Sequence, residues 1–157
     1  MDKESGVERI LWSIAIPGFG QLLNGKYIKA FVLIALEILI NTKANLNMVI
    51  ISSFYGETLT AVRQTNYHWL MFYPCFYMFV IWDAYKDGVK ERAPFSFLPF
   101  ALSAYFGTIG VIYSRETRVM GILLGPVWLP ILAISFGVFV GFIIQDILIK
   151  RRMKKYK

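Results

Sequence analysis

Glu37 stands inside an otherwise apolar run, Ala30 to Ile40, with Asn41 and Asn45 four and eight residues further on. That spacing puts all three on one face of a helix. Counted from Lys29 at about 1.5 Å per residue, the carboxyl falls roughly 12 Å along the axis, near the middle of a hydrocarbon layer about 30 Å thick. An ionisable group at that depth is costly. It marks either an intramembrane polar path for ions or solutes or, when protonated, a hydrogen-bonding bridge between helices. A path through so small a bundle would need an oligomer.

The other chemistry-bearing residues have local explanations. Asp83, Asp87 and Glu91 recur every four residues, interleaved with Lys86 and Lys90. Paired carboxylates can serve acid–base chemistry, but opposite charges so interleaved describe an exposed, ion-paired helix end. Asp146 lies four before Lys150, again a local pair. His68 is the single histidine and Cys75 the single cysteine, so no Cys/His metal spacing arises and no intrachain disulfide can form. His68 sits between Tyr67 and Trp69, where an interfacial hydrogen bond is expected. No HExxH, GxSxG or P-loop pattern is present. The expectation is a protein without enzymatic activity, catalytic residues, metal or cofactor.

The segments that must position these residues are greasy. Hydrophobic residues make up 57 % of the 157 and charged residues 17 %, with a mean hydropathy of +0.53. A soluble chain of this length has too little interior for so much apolar surface. The apolar residues fall in runs that predict an all-α, single membrane domain over 1–157, a helical bundle of four full transmembrane helices. The spans are 27–53, 67–85, 95–113 and 119–149. Before them, 10–23 is too short to cross and is broken by Pro17 and Gly18; it predicts a re-entrant or interfacial half-helix, with a fifth, kinked span as the alternative. Phe54 to Asn66 reads as a polar connector with a short surface helix.

The net charge is +7, but six of the seventeen basic residues lie in the last eight positions, 150–157. That placement predicts a basic cytoplasmic tail and not a nucleic-acid surface. The Lys26/Lys29 turn, the Lys86/Lys90/Arg92 loop and the tail all fall on one side if there are four spans, leaving Arg63, Arg115 and Arg118 on the other. A cell-membrane protein with both termini cytoplasmic is expected. Asp2, Glu4 and Glu8 offset Lys3 and Arg9, so the leader lacks the positive start of a cleavable signal. The expected partners are the lipid bilayer, anionic lipids at the tail, and a membrane-protein partner or a second copy.

The stretch Ile16–Lys29, IPGFGQLLNGKYIK, resembles the PGxGQxxNGxxxKG hairpin of small bacterial membrane proteins related to the two-transmembrane-helix domain family. A similar leader opens some bacterial sugar ABC-transporter permeases. The aspartate-containing turn that closes a second segment in those proteins is similar to Ile81–Gly88, IWDAYKDG, so the likeness covers about residues 10–90. It implies architecture, because the family has no single activity. It points to Pro17, Gly18, Gly20, Gln21, Asn24, Gly25 and Lys29 as the hairpin positions; the motif's final glycine is Ala30 here, which implies looser packing of that helix. No E-A-A…G loop of the permease kind is present. Read by their own chemistry, Gln21 and Asn24 supply donors and acceptors for the irregular backbone of a tight turn, with a small polar pocket as the sharper alternative.

Gly121 and Gly125, and Gly137 and Gly141, form two small-xxx-small pairs expected on the last helix, with Gly107 and Gly110 on its neighbour. Packing within the chain and homodimerisation are equal readings of them. The functional expectation is a non-enzymatic accessory, scaffold or partner-binding subunit; the alternative is a component of an oligomeric transporter or channel using Glu37, Asn41 and Asn45.

Overall fold

The computed structural model describes residues 3–154, with side chains for 5–154. Lys155 to Lys157, the end of the basic tail, lie outside the described residues. The chain is mostly helical and all-α in class.

Helix α1 (Lys3–Ala15) ends where Pro17 withholds an amide and Gly18 takes φ 100°. There the chain reverses into the short α2 (Phe19–Leu23), and a second reversal at Gly25 (φ 72°) leads into α3 (Tyr27–Ala44). Both turns use backbone conformations that a Cβ disfavours. Gly20 makes the α1–α2 hairpin tight: a Cβ there would meet the Arg9 carbonyl and the Ala84 methyl at 2.7 Å. Ala30 is fully buried, and the close approach at that helix comes from Gly18, whose Cβ would lie 3.1 Å from the Ala30 carbonyl oxygen.

The run 27–53 is divided at Asn45, which adopts φ 60° between α3 and α4 (Leu46–Phe54). Asparagine is one of the few side chains that tolerates this left-handed geometry. After α5 (Thr58–Gln64), the run 67–85 is also divided, into α6 (Tyr67–Leu70) and α7 (Tyr73–Gly88). Pro74 and Pro99 sit in the first turns of α7 and of α8 (Leu98–Tyr113), where a missing amide costs nothing. Among the described helices, α9 (Gly125–Lys154) is the one both long and apolar enough to cross a membrane; α8 is apolar but has 16 residues. Helix α3 fails on polarity, carrying Lys29, Glu37 and Lys43.

The last helix starts later than its apolar run implied. Residues 118–123 form a two-stranded antiparallel hairpin, β1 (Arg118–Val119) and β2 (Ile122–Leu123), turned by Met120 (φ 50°) and Gly121 (φ 82°). Two consecutive positive φ values match the right-handed strand twist. Gly121 and Gly125 are therefore not a helix-packing pair: Gly121 faces open space, and Gly125 (φ 72°) turns the chain into α9 beside Thr58.

Gly137 and Gly141 do pack, and they pack within the chain. A Cβ at Gly137 would lie 2.6 Å from Ser103 Cα, and one at Gly141 would strike the backbone of Pro99. Gly110 answers from α8 against Pro130 Cα at 2.9 Å. This α8–α9 seam is the most extensive helix–helix interface, and the Ser103 hydroxyl donates to the Pro99 and Ile134 carbonyls within it. Helix α7 lies between α8 and α1.

The molecule has two distinct ends. One gathers Ser5, Asn24, Lys29, the Ala84–Pro94 stretch and Gln145, joined by hydrogen bonds such as Gln145 Nε2 to the Pro94 carbonyl at 2.9 Å. The other gathers Asn45, Ser53, Gln64, Tyr67, Ser114 and Trp128. Small cores hold that second end, one of Ala44, Leu46, Leu70 and Val111, another of Val49, Ala61 and Val127.

Candidate functional site

Two polar constellations occupy the bundle, a charged clasp at the first end and a carboxyl beside a central cavity.

The clasp joins the two segments that carry motif-like sequence. Gln21 is wholly buried on α2; its Nε2 donates to the Val80 carbonyl at 2.9 Å and to Asp83 Oδ2 at 3.1 Å. Asp83 on α7 is 2 % exposed. Its two oxygens also accept from Lys29 Nζ, at 3.0 Å each, and Oδ1 accepts from Lys86 at 3.2 Å. Lys29 reaches Asp87 as well, at 3.0 Å. Asn24 donates to the Ala84 carbonyl at 2.8 Å and accepts from Arg9 Nε at 3.0 Å. A carboxylate this buried is tolerable because three donors, two of them cationic, reach its oxygens. The expected exposed helix end is thus corrected: Asp83 faces inward, and Glu91 lies beyond the end of α7 at Gly88. Four-residue spacing along α7 was visible in the sequence, whereas the partners Lys29 and Gln21 lie 54 and 62 residues away and left no local sign.

Of the hairpin positions, Gln21, Asn24 and Lys29 meet α7 directly, while Pro17, Gly18, Gly20 and Gly25 shape the turns. Cationic Lys86 also lies over the Trp82 ring, 5.0 Å from its centroid.

Glu37, Asn41 and Asn45 do not form one continuous polar face. Glu37 Oε1 accepts from the Tyr73 hydroxyl at 3.1 Å, whereas Oε2 is buried without a hydrogen-bond partner. Asn41 donates to Asn47 at 3.2 Å. Asn45 leaves the helix at its left-handed turn and donates to the Gln64 carbonyl. Glu37 and Asn41 line a cavity of about 400 Å³ between α3–α4 and α7–α9, with Ile14 and Pro17 also in its wall. Tyr73 and Tyr77, their rings stacked at 5.5 Å, form another wall. The tyrosines are the contributors that sequence spacing did not single out. They sit at i and i+4 in an aromatic-rich segment, which reads equally well as interface anchoring.

Among the described residues, no group of three or more His, Cys, Asp or Glu side chains is arranged to hold a metal ion. No family model, curated protein or solved structure matches the chain.

Proposed function

We propose that the chain is a cell-membrane protein of four spans with an N-terminal re-entrant hairpin, working as a non-enzymatic accessory, scaffold or partner-binding subunit. The observation that carries this reading is where charge and grease lie. At the first end Lys29, Asp83, Lys86 and Asp87 are engaged with one another, a holding arrangement more than a reactive one. The flanks are apolar and open: Ile28 is 85 % and Phe31 75 % exposed on α3, and Phe136, Phe139 and Phe142 stand out from α9. Apolar surface of that extent suits acyl chains or an apolar partner helix and not water.

The chain's course supports the re-entrant hairpin. Ser5 reaches Gly88 and Asn24 reaches Ala84, while Ile14, between them, accepts from Tyr77 deeper along α7. The segment enters and returns at the same end. That end also bears the Lys86–Arg92 loop and the start of the Lys150–Lys154 helical tail, which favours the cytoplasmic side for both termini and offers cations to anionic lipid. The resemblance of Ile16–Lys29 and Ile81–Gly88 to the two-transmembrane-helix domain family belongs to the same proposal, and the clasp gives its motif residues a shared structural task.

Orientation is open to a direct test. In a Cys75→Ala background, single substitutions Arg63→Cys and Glu116→Cys should react with a membrane-impermeant maleimide on intact cells. Glu91→Cys should react only after the inner face is opened. Labelling of all three from one side would exclude four spans. For the accessory role, affinity capture from gently solubilised membranes should return a reproducible protein partner, and its absence counts against that role. A transporter or channel subunit is the second reading, favoured by the buried Glu37 carboxyl beside a cavity. Reconstituted vesicles without proton, ion or solute flux would remove it.

A further inference from the structure

The central cavity has a one-sided polar character. Four polar side chains line it: Glu37, Asn41, Tyr73 and Tyr77. The Tyr73 proton is committed to Glu37 Oε1, the Tyr77 proton to the Ile14 carbonyl at 2.8 Å, and an Asn41 amide proton to Asn47. The carboxyl oxygen Glu37 Oε2 is buried without a geometric hydrogen bond, with the Asn41 amide one turn on as the neighbouring donor. At the carboxyl the unmet capacity is therefore acceptor capacity. Among the described residues no lysine, arginine or histidine lines the cavity, so the wall supplies no countercharge for a carboxylate. The rest of the lining is aliphatic or proline, including Leu46, Val127, Pro130 and Ile134.

From these features we propose that the cavity binds a lipophilic ammonium: an apolar body ending in a protonated amine, the amine on Glu37 and the body against the α9 wall. An ammonium group carries donors and no acceptor, the complement of what Glu37 lacks. The stacked Tyr73 and Tyr77 rings add a face that attracts cations. A bare metal cation fits poorly, since hard ions take about 6–8 oxygen ligands and this lining is mostly carbon. About 400 Å³ is in the range of small-molecule sites, roughly 300–1,000 Å³. This inference goes beyond the accessory role and holds whether or not the chain transports anything.

The test uses the full chain in lipid nanodiscs at pH 7 with tritiated phenethylamine, which is an ammonium there. Saturable binding is expected, displaced by unlabelled phenethylammonium and much less by the similar-sized neutral 2-phenylethanol. Glu37→Gln, which keeps an acceptor for Tyr73, should weaken binding about ten-fold or more. Ala15→Phe adds bulk from an exposed residue on the cavity wall and should abolish binding with Glu37 intact. Equal displacement by the alcohol, absence of saturable binding, or unchanged affinity in a folded Glu37→Gln protein overturns the proposal. If Glu37→Gln does not fold, Ala15→Phe and the ammonium–alcohol competition on the wild type decide it: binding that survives Ala15→Phe places the amine elsewhere.

Discussion

Replacing Asp83 with alanine is expected to cost about 3 kcal/mol of stability in a reversible unfolding titration from mixed micelles. The figure is the low end for breaking a buried ion pair, because the Lys29 side chain, 40 % exposed, can find some water when its partner goes. Most of the loss falls on Gln21, wholly buried and left with only the Val80 carbonyl. Lys29→Met should cost less, since Asp83 keeps Gln21 and Lys86. The double variant should lose less than the sum of the two singles, as contacting pairs do. A loss under about 1 kcal/mol for Asp83→Ala would be that of a surface ion pair, and the clasp would not be what fastens the hairpin to α7.

Gly141→Leu and Gly137→Leu are each expected to destabilise the bundle by roughly 3 kcal/mol, the upper part of the range for overpacking. Their neighbours across the seam are backbone atoms: Pro99 N at 2.7 Å from a Cβ on Gly141, Leu102 O at 2.8 Å from one on Gly137. Backbone cannot swing aside as a side chain can, so α8 and α9 must separate. The same titration checks the cost, and detergent-corrected mass checks the cause. Folded variant protein should keep the wild-type mass, because this face is turned inward. Full stability combined with loss of a dimer would mean that the glycines meet a second chain.

The all-α class was legible because apolar runs and their charged borders are local properties. The divisions of those runs were less so. Asn45 at φ 60° and the Met120–Gly121 turn are single-residue backbone choices that hydropathy averages away. A carboxyl inside an apolar run drew attention to Glu37, and its alignment with Asn41 holds on α3, whereas Asn45 leaves the helix at a left-handed turn. Asp83 shows the opposite failure. Lys86 and Lys90 interleave with its carboxylate series and it looked solvated, yet it is buried because Lys29 and Gln21 arrive from a hairpin some sixty residues earlier. Local charge pattern is blind to that. Gly137 and Gly141 were visible as close-packing residues, and only tertiary structure says which helix they meet.

On the proposed four-span reading, the clasp would also order events at the ribosome. Gln21, Asn24 and Lys29 are made first, but their partners Val80, Asp83 and Ala84 follow 54 to 62 residues later. At about 5–20 residues per second the nascent chain waits roughly 3–12 s with those groups unmatched. Through that interval lipid would leave them bare. If the hairpin is re-entrant as proposed, it should linger at the aqueous boundary and sink into place only once α7 has emerged, so that the first segment synthesised is among the last to settle.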